Sequence, residues 1–244
     1  NPAKTVRVDA CGLQCPGPIL KMKKTMDTLA SGERVEITST DPGFPRDAAA
    51  WCNSTGNQLV SKESSGGKSV IVIEKGEPKS CNIVTSCEGK GKTFIMFSDD
   101  LDKALATFVL ANGAAATGQK VTIFFTFWGL NVIKKLHKPE TEKDIFGKMF
   151  GMMLPSSSKK LKLSKMSMGG IGGKMMRYIM NKKGIDSLES LRQQALENGV
   201  EFIACQMSMD VMGVKQEELL DEVTIGGVAT YMERADNANV NLFI

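Results

Sequence analysis

A chain of 244 residues, 42% hydrophobic and 24% charged, has the makeup of an ordinary globular protein with room for one large or two modest cores. A net charge of +4 is too small to argue for nucleic acid, and no apolar run approaches the roughly 18–20 residues a spanning helix needs. The single histidine, His137, set among lysines and read as solvated, excludes a histidine-rich metal site, and the lack of any Cys-x-x-Cys pair argues against structural zinc.

The chain opens with a short strand, Thr5-Val6-Arg7-Val8, followed by the turn Gly12-Leu13-Gln14-Cys15-Pro16-Gly17-Pro18. Ile19, Met22, Met26 and Leu29 then recur at spacings of three and four, the apolar stripe of a helix. Proline is well tolerated in a first helical turn, so Cys15 falls at or just before the helix N-terminus. Free amide donors and the positive end of the helix dipole favour an anion there and lower a thiol's pKa. A thiolate so placed accepts and passes on sulfur, or attacks a disulfide. The other reading of Cys15 is a small buried hydrophobe. A strand over 33–40 follows, and Asp41 is expected to cap the following turn or helix, which runs through Ala48 to Cys52 and stops near Gly56. Cys52 reads as core packing. Strands near 58–63 and 69–74, joined at Ser64-Ser65-Gly66-Gly67, complete a βαβαββ pattern, which is a two-layer α/β sandwich over residues 1–76.

The stretch Asp9-Ala10-Cys11-Gly12-Leu13-Gln14-Cys15-Pro16-Gly17-Pro18-Ile19-Leu20-Lys21 resembles the signature of the TusA (SirA-like) sulfur carriers. Gly32-Glu33 before a strand and Thr40-Asp41-Pro42-Gly43 before a helix fit the same family, and the resemblance covers about residues 4–75. It implies that Cys15, in the Cys-Pro-x-Pro position, carries persulfide sulfur, with Pro16, Gly17, Pro18 and Asp41 in support. Cys11 is an addition to the minimal motif. It is expected to modulate transfer, and a Cys11/Cys15 dithiol couple would make the chain a thiol–disulfide oxidoreductase instead.

Residues 77–91 read as a linker, with Pro78, Gly89 and Gly91 among lysines and serines. Its Cys81 and Cys87 read as surface thiols on a tether or as a disulfide or resolving pair. Six cysteines in a chain of this length do not form the framework of a disulfide-stapled fold, so a reducing, cytoplasmic setting is expected. The start at Asn1-Pro2, without methionine, fits a piece of a longer polypeptide or a processed N-terminus.

From Lys92 the pattern changes to buried strands alternating with helices, the signature of a parallel sheet. Phe94-Ile95-Met96-Phe97 is a strand, and Ser98-Asp99-Asp100 opens a helix carrying Leu101, Leu105, Phe108 and Val109. These carboxylates read as helix-capping groups, or less simply as a cation site. Val121–Phe125 is a second strand, followed by a short helix at Trp128-Gly129-Leu130. Residues 134–183 hold 13 Lys or Arg against 3 Asp or Glu and eight of the 15 methionines. Basic charge with flexible methionine suits a partner or membrane-surface contact, or an insertion packed on its own domain. The glycine pairs 169–170 and 172–173 do not make a phosphate loop, because Met175 follows Lys174 where Ser or Thr is needed. They read as a hinge, or as close packing at a helix start. Asp186 with Glu189 resembles a capping box for a helix ending at Gly199. Val200–Ala204 is a third buried strand with Cys205 at its carboxyl end, where open parallel sheets place their chemistry. Ser208 and Asp210 mark a helix start whose donors would hold an anion at Cys205.

Cys205-Gln206-Met207-Ser208-Met209-Asp210-Val211-Met212-Gly213, with Gly226-Gly227-Val228-Ala229 and the tail through Ile244, resembles the DsrE-like sulfur-relay proteins over about residues 92–244. That resemblance implies a flavodoxin-like three-layer α/β/α domain with a parallel sheet, interrupted by the basic insertion at about 136–168. It also implies homo-oligomerisation through this domain and a sulfur-carrying role for Cys205. The order of the two domains is similar to the tail of some flavin-dependent CoA-disulfide reductases. The expectation is a fused sulfur relay between Cys15 and Cys205, with no tightly bound cofactor beyond covalent persulfide. Its partners would be rhodanese-like or disulfide-reductase-like donor and acceptor proteins. Peripheral membrane contact through the basic segment is the docking alternative, and nucleic acid is not expected.

Overall fold

The computed structural model describes residues 4–13, 16–76, 91–137, 139, 149 and 151–244. Cys15, Cys81, Cys87, nearly all of the expected linker and residues 140–148 of the basic segment lie outside them. Two compact units are present, one built mainly on residues before 89 and the other mainly on those after.

The first unit runs β1 (Thr5–Ala10), α1 (Gly17–Asp27), β2 (Arg34–Ser39), α2 (Phe44–Thr55), β3 (Gln58–Ser65) and β4 (Lys68–Glu74). Its strand order is β1-β2-β4-β3. The β1–β2 pair is parallel, which requires a crossover, and α1 supplies it. The two β4 pairings are antiparallel. Alternation turns Val35 and Ile37 of β2 and Ile71 and Ile73 of β4 to one face, where Met22 and Met26 of α1 and Phe44, Ala48 and Trp51 of α2 pack. Each large apolar side chain so buried contributes about 1.5–3 kcal/mol. Helix α2 ends where expected, because Gly56 adopts φ 77° and donates its N–H to the Cys52 carbonyl. At the other end Asp41 caps the turn and not the helix. Gly43 is the N-cap, and the Asp41 carboxylate accepts the Gly43 N–H at 2.9 Å in the preceding turn.

The second unit runs β5 (Gly91–Met96), α3 (Leu101–Ala116), β6 (Val121–Phe125), a 3-10 segment (Phe127–Ile133), α4 (Ile171–Lys182), α5 (Leu188–Glu197), β7 (Glu201–Cys205), α6 (Gln206–Met212), β8 (Thr224–Gly226), α7 (Val228–Asp236) and β9 (Ala238–Phe243). All pairings in the order β8-β7-β6-β5-β9 are parallel. Strand β6 is buried along its whole length and β7 over its last four residues, as strands covered on both faces must be. On one face Phe125 and Phe202 pack with Phe108 of α3 and Leu188 and Leu191 of α5. On the other, Phe124, Ile203 and Cys205 pack with Tyr231 of α7. This is the flavodoxin-like three-layer arrangement.

Part of the basic segment is core. Leu161 is buried in the main cluster, and the Lys162 carbonyl accepts the Leu101 N–H at 2.7 Å. Ser164 donates its N–H and hydroxyl to Asp102. Ser158 donates to Glu189, and Arg177 bridges the Ser158 carbonyl and Glu189. Of the readings of the basic segment, packing on its own domain therefore holds for residues 158–164, which form a pinned strap. The second glycine pair belongs to this packing: a Cβ on Gly172 would lie 2.1 Å from the Met166 carbonyl oxygen, and one on Gly173 3.2 Å from that of Leu161. Further along, α5 is capped by Ser187, whose side chain accepts the Ser190 N–H, and not by Asp186. Helix α6 begins directly after Cys205, which is its N-cap, so Ser208 and Asp210 lie inside the helix and do not start it.

Candidate functional site

Two strand-to-helix junctions carry the residues singled out in the sequence. At the first, Pro16 is the N-cap of α1, with φ −91° and ψ 6°, and Pro16, Gly17 and Pro18 are all buried. Proline has no N–H, so of the four residues Pro16–Ile19 only Gly17 and Ile19 bring backbone donors to the helix head. The Leu20 N–H already closes the first turn on the Pro16 carbonyl at 3.1 Å. A Cβ on Gly17 would sit 3.2 Å from Leu13 Cβ, so glycine lets the turn fold tightly on the helix. Upstream, Gly12 at φ 78° donates its N–H to Thr40 Oγ1 at 2.9 Å, and Leu13 N–H reaches the Ala10 carbonyl.

Cys11 is half-buried in this turn and donates its N–H to Asp9 Oδ1 at 2.8 Å. The Asp9 carboxylate beside it raises the Cys11 thiol's pKa, while the Cys11 backbone N–H lowers that of Asp9. Cys11 is thus held in its weakly nucleophilic, protonated form near neutral pH. Asp41, besides shaping its turn, lines an open cleft of about 360 Å³ with Thr40, Pro42, Ser64, Lys68 and Ser69. Cys52 is 2% exposed, and burial pushes its thiol up to about 11, which matches core packing.

At the second junction Cys205 ends β7, pairs in register with Gly226 of β8 and is 6% exposed. Ser208 is fully buried and its hydroxyl meets that of Thr126, at the end of β6, at 2.7 Å. Asp210 is exposed and accepts from Gln206 Nε2 at 2.9 Å, a local helix contact. The carboxylates after β5 are engaged with protein groups: Asp99 accepts from Asn131 Nδ2, Asp100 from Ser98 and Lys103, and Asp102 from Ser164. Burial raises the pKa of Asp99. Among the described residues no group of three or more His, Cys, Asp or Glu is gathered as a metal site would need. No helix of those residues is long and apolar enough to cross a membrane.

Sequence reading missed what surrounds Cys205. Tyr231 is 7% exposed, its ring centroid lies 5.2 Å from that of Phe124, and its hydroxyl is 3.2 Å from Thr93 Oγ1. Arg234 grips Glu201 through Nε at 2.8 Å and Nη2 at 3.1 Å, and Thr122 donates to the same carboxylate. The available signal was the i, i+4 spacing of Tyr231 and Ala235 after a glycine pair, the apolar stripe of a helix.

A parallel, three-layer α/β domain with a cysteine closing one of its inner strands, preceded in the chain by a small βαβαββ unit, defines the class. The description "DsrE/DsrF/DrsH-like family" matches residues 89–243, and "Sulfurtransferase TusA" matches residues 6–75. The chain belongs to the DsrE/DsrF/DrsH-like family, with a TusA domain ahead of that part. It is 44% identical over 155 residues to YrkE of Bacillus subtilis, covering 64% of this chain and 97% of that one. It is 37% identical over 161 residues to the sulfur carrier protein DsrE2 of Allochromatium vinosum, covering 64% and 99%. To the sulfur carrier protein TusA of the same organism it is 43% identical over 68 residues, covering 28% of this chain and 90% of that one.

Proposed function

We propose that the chain is a two-station sulfur relay, which carries sulfane sulfur as a persulfide on Cys15 and exchanges it with Cys205. The observation that supports this most is the pairing, in one chain, of segments similar to two proteins named as sulfur carriers, each with a cysteine at a strand-to-helix junction. In the transfer step the Cys205 thiolate attacks the outer sulfur of the Cys15 persulfide. A new S–S bond forms at Cys205, the S–S bond at Cys15 breaks, and Cys15 leaves as a thiolate. One persulfide is consumed and one is formed, so no external oxidant or reductant enters. The run in the opposite direction is the same step reversed.

The protein's part is to hold thiolates. The amides of Gly17 and Ile19 and the dipole of α1 favour an anion at the head of that helix. Pro16, Gly17 and Pro18 fix the turn, and Cys11, kept protonated by Asp9, modulates without carrying sulfur. Donor and acceptor proteins, rhodanese-like or disulfide-reductase-like, complete the relay, with a second copy of the DsrE-like domain as an oligomeric partner. The exposed Met152, Met153, Met166 and Met168, 66–86% accessible beside Lys159, Lys160 and Lys165, suit a peripheral membrane or partner contact. A CoA-disulfide-reductase-like polypeptide is one larger setting for such a chain.

Intact-mass analysis after incubation with a persulfide donor, with the added sulfur mapped by peptide, tests the reading. Sulfur is expected on Cys15 and Cys205, with Cys15→Ser losing first-domain loading and Cys52→Ser keeping it. Undiminished first-domain loading in Cys15→Ser would overturn the assignment.

A further inference from the structure

Cys205 cannot meet a second sulfur in the conformation described, because it is 6% exposed among Phe124, Ile203 and Tyr231. The side chain on the helix side of that cluster is Tyr231, from α7. We propose that α7 is a latched lid over Cys205, which lifts as a unit to admit the partner sulfur. This rests on the reading of Cys205 as a sulfur station.

The helix is built and attached as a lid would be. On its open side the chain enters from β8, only three residues long, through Gly226 and Gly227. Gly226 packs tightly, since a Cβ there would lie 2.9 Å from Ile203 Cγ2, whereas a Cβ on Gly227 would meet nothing within 4 Å. Gly227 caps α7 without any side-chain hydrogen bond, so that end is fastened only by backbone and packing. At the far end α7 runs into β9, which is paired along β5, and that end stays fixed.

Two polar contacts hold the helix down. The Arg234 guanidinium grips Glu201 at the start of β7 with two hydrogen bonds, and Thr122 orients the same carboxylate. The Tyr231 hydroxyl reaches Thr93 Oγ1 on β5, and Thr93 in turn donates to Asn241 on β9. Both contacts tie α7 to sheet strands on the face where Cys205 lies, and neither touches the cysteine. The outer side of α7 is mixed: Val228 is 72% and Met232 48% exposed, beside the exposed Glu233 and Asp236. Lifting the helix uncovers Tyr231, Phe124, Ile203 and Cys205 and breaks both polar contacts, so the lid rests shut and opens only as a minor state.

The test is the rate at which iodoacetamide alkylates Cys205 in the native, full-length protein, read by peptide mass, with buried Cys52 as an internal control. In the wild type Cys205 should react far more slowly than a free thiol yet faster than Cys52. Arg234→Gln, which releases the guanidinium grip, should speed Cys205 by about fivefold, the scale of a partly exposed ion pair, and leave Cys52 unchanged. Tyr231→Phe, which keeps the ring and drops the hydroxyl contact, should speed it by a similar or smaller factor. Hydrogen exchange in both variants should quicken over 228–236 and not over β7. The lid is refuted if Cys205 reacts in the wild type as a free thiol does. It is equally refuted if neither variant alters its rate, or if Cys52 quickens in step, which reports general loosening. Sulfur loading is a separate readout: a lid that opens over a Cys205 that never takes sulfur leaves the lid standing and removes the relay.

Discussion

Six residues, Cys11 to Pro16, connect β1 to α1, whereas β7 passes into α6 with no residue between them. The first junction is a loop, pinned at its base by Gly12 to Thr40 and closed at its end by a proline cap. The second is a direct hand-over in which the last residue of the strand is the helix cap, so Cys205 takes its place in the sheet's side-chain alternation and is buried with Ile203 and Phe124. Loop connections carry reactive groups to partners, while strand ends hold them in a fixed frame. In the relay proposed above, the first junction would present sulfur and the second would receive it at the end of a buried strand.

The rigidity of the second frame is the part of this contrast most easily broken. Leu161 of the strap fills the main core, so Leu161→Ala should cost about 2–5 kcal/mol in denaturant unfolding of the second domain. Met152→Ala, 86% exposed in the same basic segment, should stay within about 0.5 kcal/mol. Equal effects would mean that the strap is not core. A smaller loss, about 1–3 kcal/mol, is expected for Ser208→Ala, because the Thr126 hydroxyl is then left buried without its partner. Thr126→Val with Ser208→Ala should recover part of that loss in a double-mutant cycle.

The first junction is sharpened by its titration. The Asp9 carboxylate raises the Cys11 pKa, so alkylation of Cys11 should begin at higher pH than that of an ordinary cysteine, and Asp9→Asn should move it lower. Cys52, pushed to about 11 by burial, should stay unreactive across the same range. The smallest effect belongs to Glu201. Hydrogen bonding from Arg234 lowers its pKa, so its contribution to the fold is complete above the ordinary glutamate pKa of 4.5 and is lost as pH falls through the lower folded value. Glu201→Gln should flatten the acid limb of the second domain's stability profile.

Much of this frame was legible in the sequence, where one periodicity dominated. The stripe Ile19, Met22, Met26 and the unbroken apolar runs of β5, β6 and β7 specify helix and doubly covered strands without rivals. The caps were not legible, since Asp186 and Ser187 stand side by side and either can cap. Only the backbone geometry chooses Ser187, which accepts the Ser190 N–H. The strap was hidden by its charge: Leu161 sits between Lys160 and Lys162, and a lone apolar residue among lysines gives no periodic signal. The environment of Cys205 was hidden for another reason. Phe124 and Thr122 reach it or its strand from β6, and Tyr231 and Arg234 from α7, and only the sheet order β8-β7-β6-β5-β9 brings these elements together.

The division of labour between the junctions is tested most directly by single-turnover transfer of isotopically labelled sulfur in the intact chain. Label supplied by a persulfide donor should appear first on Cys15 and then on Cys205, and Cys15→Ser should empty both positions while Cys205→Ser leaves Cys15 loaded. Label reaching Cys205 at the same rate in Cys15→Ser, or never reaching Cys205 at all, would contradict a relay between the two.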